Sequence, residues 1–408
     1  MHIPPPKELI GRIRALPSAA PLLAAVGDEP GVYLVGGAVR DLLLGGEDGP
    51  EPGDLDLVVE GDVAALAARL GGRYLAHDRF GTASVILDGH GYDFARARRE
   101  TYAEPGALPD VSPAGLAEDL LRRDFTVNAI AASLGGPRAG ELTAAPRALE
   151  DLSDRRMRVF HDRSFIDDPT RLFRLARYAS RLAFAIEPET LALALAAVAG
   201  GALATVSGAR LGAELRLLAR EKEPVAGLAA ARELGLDRAL HPRFGIADPE
   251  LAARALALLP ADGRRDVLVL ALAALDVPPA ELATLLDELA FDADTRDRIL
   301  AIATGAAGTA AALDGDPTPA EIAAAVGRGS PELVAVAGAL GARGAASEWL
   351  ARLRHVHLDI DGDDLITAGV PEGPAVGRAL RAALAAKLDG RISGRDSELA
   401  EALRAADG

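Results

Sequence analysis

The stretch GDLDLVVEGD, residues 53–62, carries two aspartates two positions apart at the start of an otherwise apolar run. Side chains alternate across a strand, so Asp54 and Asp56 share one face and Leu55 and Leu57 the other. Two readings fit these residues alone. One is ordinary alternation with a solvated polar face; the other is a pair of carboxylates presented to a metal ion. The surrounding chain has to decide.

Upstream stands YLVGGAVRDLLLG, residues 33–45: an apolar strand, the pair Gly36 and Gly37, then an amphipathic helix with Arg40 one turn in. Two glycines at a strand-to-helix turn let backbone amides approach a ligand, and the helix N-terminus favours an anion such as phosphate. Glycines also serve turns for conformational reasons alone, so the weight lies in their position shortly before the aspartates. Two carboxylates beside a phosphate-cradling turn can hold one or two Mg²⁺ ions against a triphosphate. Asp93, in GYDFARAR, is a candidate third acid from another predicted strand, with a solvated strand residue as the alternative.

A chain of 408 residues exceeds one ordinary core, so two or more packed units are expected. Short β-like runs alternate with helical stretches over residues 31–135, which reads as a mixed α and β domain. From about residue 140 the pattern is Ala, Leu and Arg in helical periodicity, so that part is expected to be almost wholly helical. Pro and Gly mark a long loop at 104–115 and breaks at 314–319 and 369–374. No fixed-period repeat is present, and the alanine excess is a helix bias.

The absence of cysteine excludes disulfides, thiolate zinc sites and a cysteine nucleophile. Charged residues interrupt the apolar runs before they reach a membrane span, and the N-terminus lacks signal-peptide character, so a cytoplasmic protein is expected. A net charge of −16 opposes generic polyanion binding unless basic residues cluster locally. Basic residues on one side and acidic ones on the back is the arrangement expected.

Two segments carry such clusters. In EDLLRRDFTVNAIA, residues 118–131, Arg122 and Arg123 precede Asp124 at an expected helix start, and Asn128 follows four residues on. Asp124 reads as an N-cap or, with its arginines, as part of a phosphate or sugar site. In FIDDPTRLFRLARYASRL, residues 165–182, Asp168 and Pro169 suit a helix start. Arg171, Arg174, Arg177 and Arg181 then recur with no acidic residue between them, which favours an anionic partner over a solvated face. Asp168 and Arg171, one turn apart, form an acceptor and donor edge. That edge suits the exocyclic amine and ring nitrogen of adenine or cytosine and disfavours uracil and guanine.

Taken together and in this order, the motifs resemble the class II tRNA nucleotidyltransferase and bacterial poly(A) polymerase family. GGAVRD with DLDLVV is similar to its first motif, RRDFTVNA to its second, and DDPTRLFRLARYASRL to its amino-acid template helix. SGARLGAEL, 207–215, resembles its last neck motif in degenerate form, and residues 358–393 its tRNA-proximal tail. The resemblance implies an α+β fold: a polymerase β-like head of mixed sheet and helices at 1–137, then an all-α neck at 138–225, body at 226–345 and tail at 346–408. It implies Mg²⁺-dependent addition of C, C and A from CTP and ATP to tRNA 3′ ends. Asp54 and Asp56 become metal ligands, with Asp93 beside them as a catalytic candidate. Gly36, Gly37, Arg40, Arg122, Arg123, Asp124, Asn128, Arg174 and Arg177 become nucleotide contacts, and Asp168 and Arg171 the base-reading pair. The template motif opens with Asp167 where the family usually has Glu, and the loop before residue 121 leaves CCA, CC-only and A-only addition open. A poly(A) polymerase is the further alternative, although the strongly basic C-terminal extension common there is not seen. His161 and Asp162 lack the further ligands of a metal phosphohydrolase, and DIDGDD, 359–364, lacks the spacing of a calcium loop.

Overall fold

The computed structural model describes residues 3–45, 54–77 and 81–407, and the chain divides into two compact units, 1–207 and 208–408. In the first unit two helices, α1 (Pro6–Ala15) and α2 (Ala19–Val26), precede β1 (Val32–Val35), α3 (Gly37–Gly45), β2 (Asp54–Val59) and α4 (Val63–Leu70). Then come β3 (Arg73–His77), β4 (Thr82–Leu87) and β5 (His90–Arg96). The last two are joined at Asp88-Gly89, whose φ values of 51° and 84° suit a two-residue hairpin turn.

Leu55 and Leu57 are buried and stand in register with Tyr92 and Phe94 of the parallel neighbour β5. The buried Val63, Leu66 and Ala67 lie on α4, which packs on β4 and β5 and is capped by Asp62, whose side chain accepts from the Ala65 amide at 3.0 Å. Burying each such side chain contributes on the order of 1.5–3 kcal/mol. The Tyr92 hydroxyl donates to the Ser18 carbonyl at 2.7 Å, tying the start of α2 to the sheet.

After β5 follow β6 (Arg98–Thr101), β7 (Asp110–Pro113), α5 (Leu116–Leu121), β8 (Ile130–Ser133) and β9 (Leu142–Ala144). The main sheet has seven strands in the order β3-β4-β5-β2-β1-β8-β9; β2 and β5 are parallel, and the other pairings are antiparallel. The expected loop at 104–115 is in part a strand, since β7 pairs with β6 in a separate hairpin. Its tip is anchored: Gly106 donates to the Ile166 carbonyl at 3.2 Å, and a Cβ there would lie 2.3 Å from Thr205 Oγ1.

The helix expected to start at Asp124 does not form. Residues Thr126–Asn128 make a single 3₁₀ turn and the chain runs into β8. Asp124 accepts from the next amide, Phe125, rather than from an amide two or three residues on as an N-cap would. The pairing of β8 with β1 and β9 takes up the segment instead.

The rest of the unit comprises α6 (Ala148–Ser153), β10 (Arg156–Met157), α7 (Ser164–Asp167), α8 (Thr170–Leu182), β11 (Ala185–Ile186) and α9 (Pro188–Ala199). The short parallel pair of β10 and β11 interrupts the helical pattern expected beyond residue 140. The second unit is helical throughout its described elements, from Gly208–Ala219 to Arg395–Asp407, with an Ala and Leu core. The breaks at 314–319 and 369–374 separate helices as expected. Among the described residues no helix is long and apolar enough to cross a membrane.

Candidate active site

The glycine turn between β1 and α3 is where the site comes together. Gly36 has φ 68°, a conformation L side chains rarely adopt, and a Cβ there would lie 3.2 Å from an Arg123 guanidinium nitrogen and 3.9 Å from Asp56 Oδ2. This glycine therefore lets a carboxylate and a guanidinium approach the same backbone turn. Gly37 begins α3, and Arg40 follows within its first turn.

On the carboxylate side Asp56 is exposed, in contrast to Leu55 and Leu57. The parallel register sets Asp93 of β5 directly beside it, also exposed. Ser84 of β4 donates to Asp93 Oδ1 at 2.5 Å. The backbone of Asp54 pairs with Gly91 at the start of β2, and its side chain lies outside the described residues. Among the described residues no three acidic or imidazole side chains converge as a metal cluster. The donor chemistry still fits a hard cation: in-register carboxylates at the surface are the oxygen ligands that Mg²⁺ takes while keeping several waters.

The guanidinium side is built differently. Arg40 is fully buried; it donates to Asn128 Oδ1 at 2.5 Å and to Asp41 at 2.8 Å. Asn128 in turn donates to Asp124 Oδ1 at 3.0 Å, and Arg174 of α8 donates twice to Asp124 Oδ2 at 2.9 and 2.7 Å. Burial pushes the Asp124 carboxyl up, but Arg174, Asn128 and Arg171 outweigh it and hold the group at about 2. A chain Arg40–Asn128–Asp124–Arg174 thus locks α3, the 3₁₀ turn and α8 together.

Arg122 and Arg123 share one buried acid, Asp119 on α5. Arg122 donates to it at 2.9 Å and to Glu100 of β6 at 2.8 Å, while Arg123 donates to it at 3.1 Å. Burial lowers the Arg123 pKa from its ordinary value, with Asp119 opposing. Asp119 and Glu100 were not expected from sequence. Asp119 sits three and four residues before the arginines at helical spacing, and that was the available signal. Nothing local marks Glu100 or Ser84.

Helix α8 keeps only part of its expected form. Arg171 is 5% exposed and donates to Ser164 Oγ at 2.8 Å and to the Arg122 carbonyl at 2.9 Å, so it faces inward rather than along a solvent row. Arg177 is also buried. Asp168 Oδ1 accepts from the amide and hydroxyl of Thr170, at 3.1 and 2.6 Å, at the start of α8. Beside Arg171 opens a cavity of about 480 Å³ that also has Glu100, Tyr102, Arg122, His161 and Asp167 in its wall. Burial raises the Tyr102 hydroxyl to about 12, and burial with the nearby Arg171 keeps the His161 imidazole below its usual range.

A poly(A) polymerase head-domain model matches residues 32–158, which span the glycine turn, the carboxylates and the RRD segment. A solved CCA-adding enzyme, apo form I, is similar over nearly the whole chain: 30% identity, TM-score 0.75, with 94% of this chain and 93% of that chain covered. The chain belongs to the tRNA nucleotidyltransferase and poly(A) polymerase family. Within that family it is 43% identical over 249 residues to the A-adding tRNA nucleotidyltransferase of Geobacter sulfurreducens, covering 59% of this chain and 28% of the relative. It is 45% identical over 203 residues to the CC-adding tRNA nucleotidyltransferase of Deinococcus radiodurans, covering 48% of this chain and 52% of the relative. The chain thus spans about half or less of the length of these curated family members.

Proposed function

We propose that this chain transfers CMP and AMP from CTP and ATP to the 3′ end of tRNA, without a nucleic-acid template, and releases pyrophosphate. The observation that carries this reading is the meeting of Asp56 and Arg123 at the Gly36 turn, with Asp93 in register beside Asp56. On this reading the 3′ hydroxyl attacks the α-phosphorus; the new bond is O–P, and the bond between the α-phosphorus and the bridging oxygen breaks. Mg²⁺ held at Asp54 and Asp56, with Asp93 beside them, would supply charge neutralisation and a more acidic hydroxyl when bound. The chain's own residues do the rest by position. The start of α3 at Gly37 receives phosphate oxygens, while the Gly36 amide itself donates to the Ile130 carbonyl at 3.2 Å, and Arg123 reaches the same turn. Asp124 and Asn128 hold Arg40 and Arg174 in place for them, and Arg177 adds a further guanidinium. Asp168 and Arg171 select the base, with Arg171 turning its donors from Ser164 and Arg122 toward the ring.

The division into head, neck, body and tail is part of the same proposal, supported by the order of the motifs, and the working compartment is the cytoplasm. Two names among the relatives favour narrower readings, A-only and CC-only addition. The deciding experiment supplies tRNA lacking the whole terminal triplet, tRNA ending in CC, and complete tRNA, each with one nucleotide at a time. CCA addition predicts CMP on the first and AMP on the second. AMP on the second alone marks an A-adding enzyme, CMP on the first alone a CC-adding one, and no incorporation on any tRNA with Mg²⁺ present overturns the proposal.

A further inference from the structure

The row of residues that runs outward from Asp56 does not end at Asp93. In register across the sheet stand Asp56 of β2, Asp93 of β5, Ser84 of β4 and Leu75 of β3, and residues paired in register share one face. The Ser84 bond to Asp93 lies on that face, while Ala83 and Val85 on the other face of β4 are buried. Two positions along β4, on the face of Ser84, Ile86 pairs with Arg73. Leu75 is 60% exposed and Ile86 56%, and among the described residues only one large hydrophobic, Leu108, is more exposed. Arg73 is exposed too, and neither β3 nor β4 carries an acidic residue. The strand order is β3-β4-β5-β2-β1 and the glycine turn follows β1, so an apolar and basic surface continues the carboxylate row away from that turn.

Direction decides what this surface meets. With phosphate oxygens at the start of α3, the leaving pyrophosphate lies on the β1 side of Asp56. Attacking and leaving oxygens stand roughly in line in phosphoryl transfer, so the attacking hydroxyl comes from the other side, over β5. At a strand spacing of about 4.8 Å, Ser84 lies about 5 Å and Leu75 about 10 Å beyond Asp93, where the nucleotides behind that hydroxyl must pass. Unpaired bases at a strand end lie against side chains that cover their faces. Leu75 and Ile86 offer such cover without a hydrogen-bonding group, so they hold a base and leave its edge unread. Arg73 adds a cation for the backbone phosphate.

We propose that Leu75, Ile86 and Arg73 form a platform for the unpaired 3′ end of the acceptor RNA, holding it without selecting its base. The inference rests on the nucleotidyl-transfer reading and adds to it a surface on the acceptor side, apart from the base-reading pair. The test measures transfer with Mg²⁺ onto tRNA lacking the terminal triplet with CTP, and onto tRNA ending in CC with ATP. Equilibrium binding of each nucleotide without tRNA is measured in parallel. In whichever transfer wild type performs, the double variant Leu75→Ser, Ile86→Ser lowers kcat/KM for the tRNA about tenfold, while nucleotide binding stays within about twofold. Ile86→Trp adds a stacking face, so kcat/KM for the tRNA rises at position 86 in the order serine, isoleucine, tryptophan; this series stands even if the double variant does not fold. Arg73→Ala has a smaller effect and flattens the salt dependence by about one phosphate contact. Equal kcat/KM for the tRNA along the position-86 series overturns the platform, as does a loss matched by weaker nucleotide binding. No transfer by wild type onto either tRNA overturns the transfer reading, and this inference with it.

Discussion

The two units bury charge for different ends. In the first, Asp119 and Asp124 are spent on guanidiniums: Asp119 on Arg122 and Arg123, Asp124 on Arg174. In the second, the buried acids Asp237, Glu332 and Glu398 each hold a backbone amide, those of Arg238, Arg264 and Asp359, at 2.7, 2.6 and 2.6 Å, and Glu398 pairs with Lys387 as well, at 2.6 Å. A carboxylate that fixes an amide secures a turn. One that fixes an arginine aims a cation, and that is the work of a site. The first unit also keeps Asp56 and Asp93 at its surface, where solvent or a cation can reach them.

This contrast can be broken by four substitutions. The largest effect is expected from Asp56→Ala, because the residue is exposed and its proposed role is chemical. Nucleotide incorporation should fall by at least about a thousandfold while the melting temperature stays unchanged. Retained incorporation would separate Asp56 from the chemistry. Next is Asp124→Ala, which removes two bonds from Arg174 and loosens Arg40 through Asn128; a loss of about 2–3 kcal/mol in denaturant unfolding is expected, with a raised nucleotide KM. The depressed Asp124 pKa gives the same bond a pH signature. Its contribution is fully present above the ordinary carboxyl value of 3.8 and is lost as pH falls toward about 2, on the order of 2 kcal/mol. Acid unfolding of wild type and variant should therefore converge in that window.

Arg171→Ala should cost about 1–3 kcal/mol of discrimination among the four nucleotides, read from kcat/KM ratios, and leave the divalent-ion dependence alone. Unchanged ratios would restrict Arg171 to its bonds with Ser164 and Arg122. The smallest effect belongs to the second unit: Glu332→Ala should lower stability by about 1–2 kcal/mol through the stranded Arg264 amide, with transfer per folded molecule unaltered. A drop in specific activity there would erase the distinction between the units.

What the amino-acid order revealed was local. Alternation marked β2 and its exposed carboxylate face, the glycine pair marked the turn, and the arginine spacing marked α8. What it hid was long-range. Asp93 stands beside Asp56 only because β5 pairs in parallel with β2, some forty positions away and past the β3–β4 hairpin. Nothing in GYDFARAR specifies that register. The helix expected at Asp124 failed because the following residues were needed to flank β1, a demand of the sheet rather than of the segment. Arg171 looked like one of a row of equals, yet a serine seven residues upstream and a carbonyl across the fold draw it inward.

The anchored tip of the β6–β7 hairpin bears on how this protein can vary. Gly106 touches Thr205 so closely that any side chain would push the two apart, and its amide is bonded just ahead of the turn into α8. Length changes in this loop are therefore not free. Extra residues fit around Leu108, which is 71% exposed, because they can bulge into solvent without moving the anchor. Added between Thr101 and Gly106, they would shift the anchor itself and, through Ile166, the start of α8.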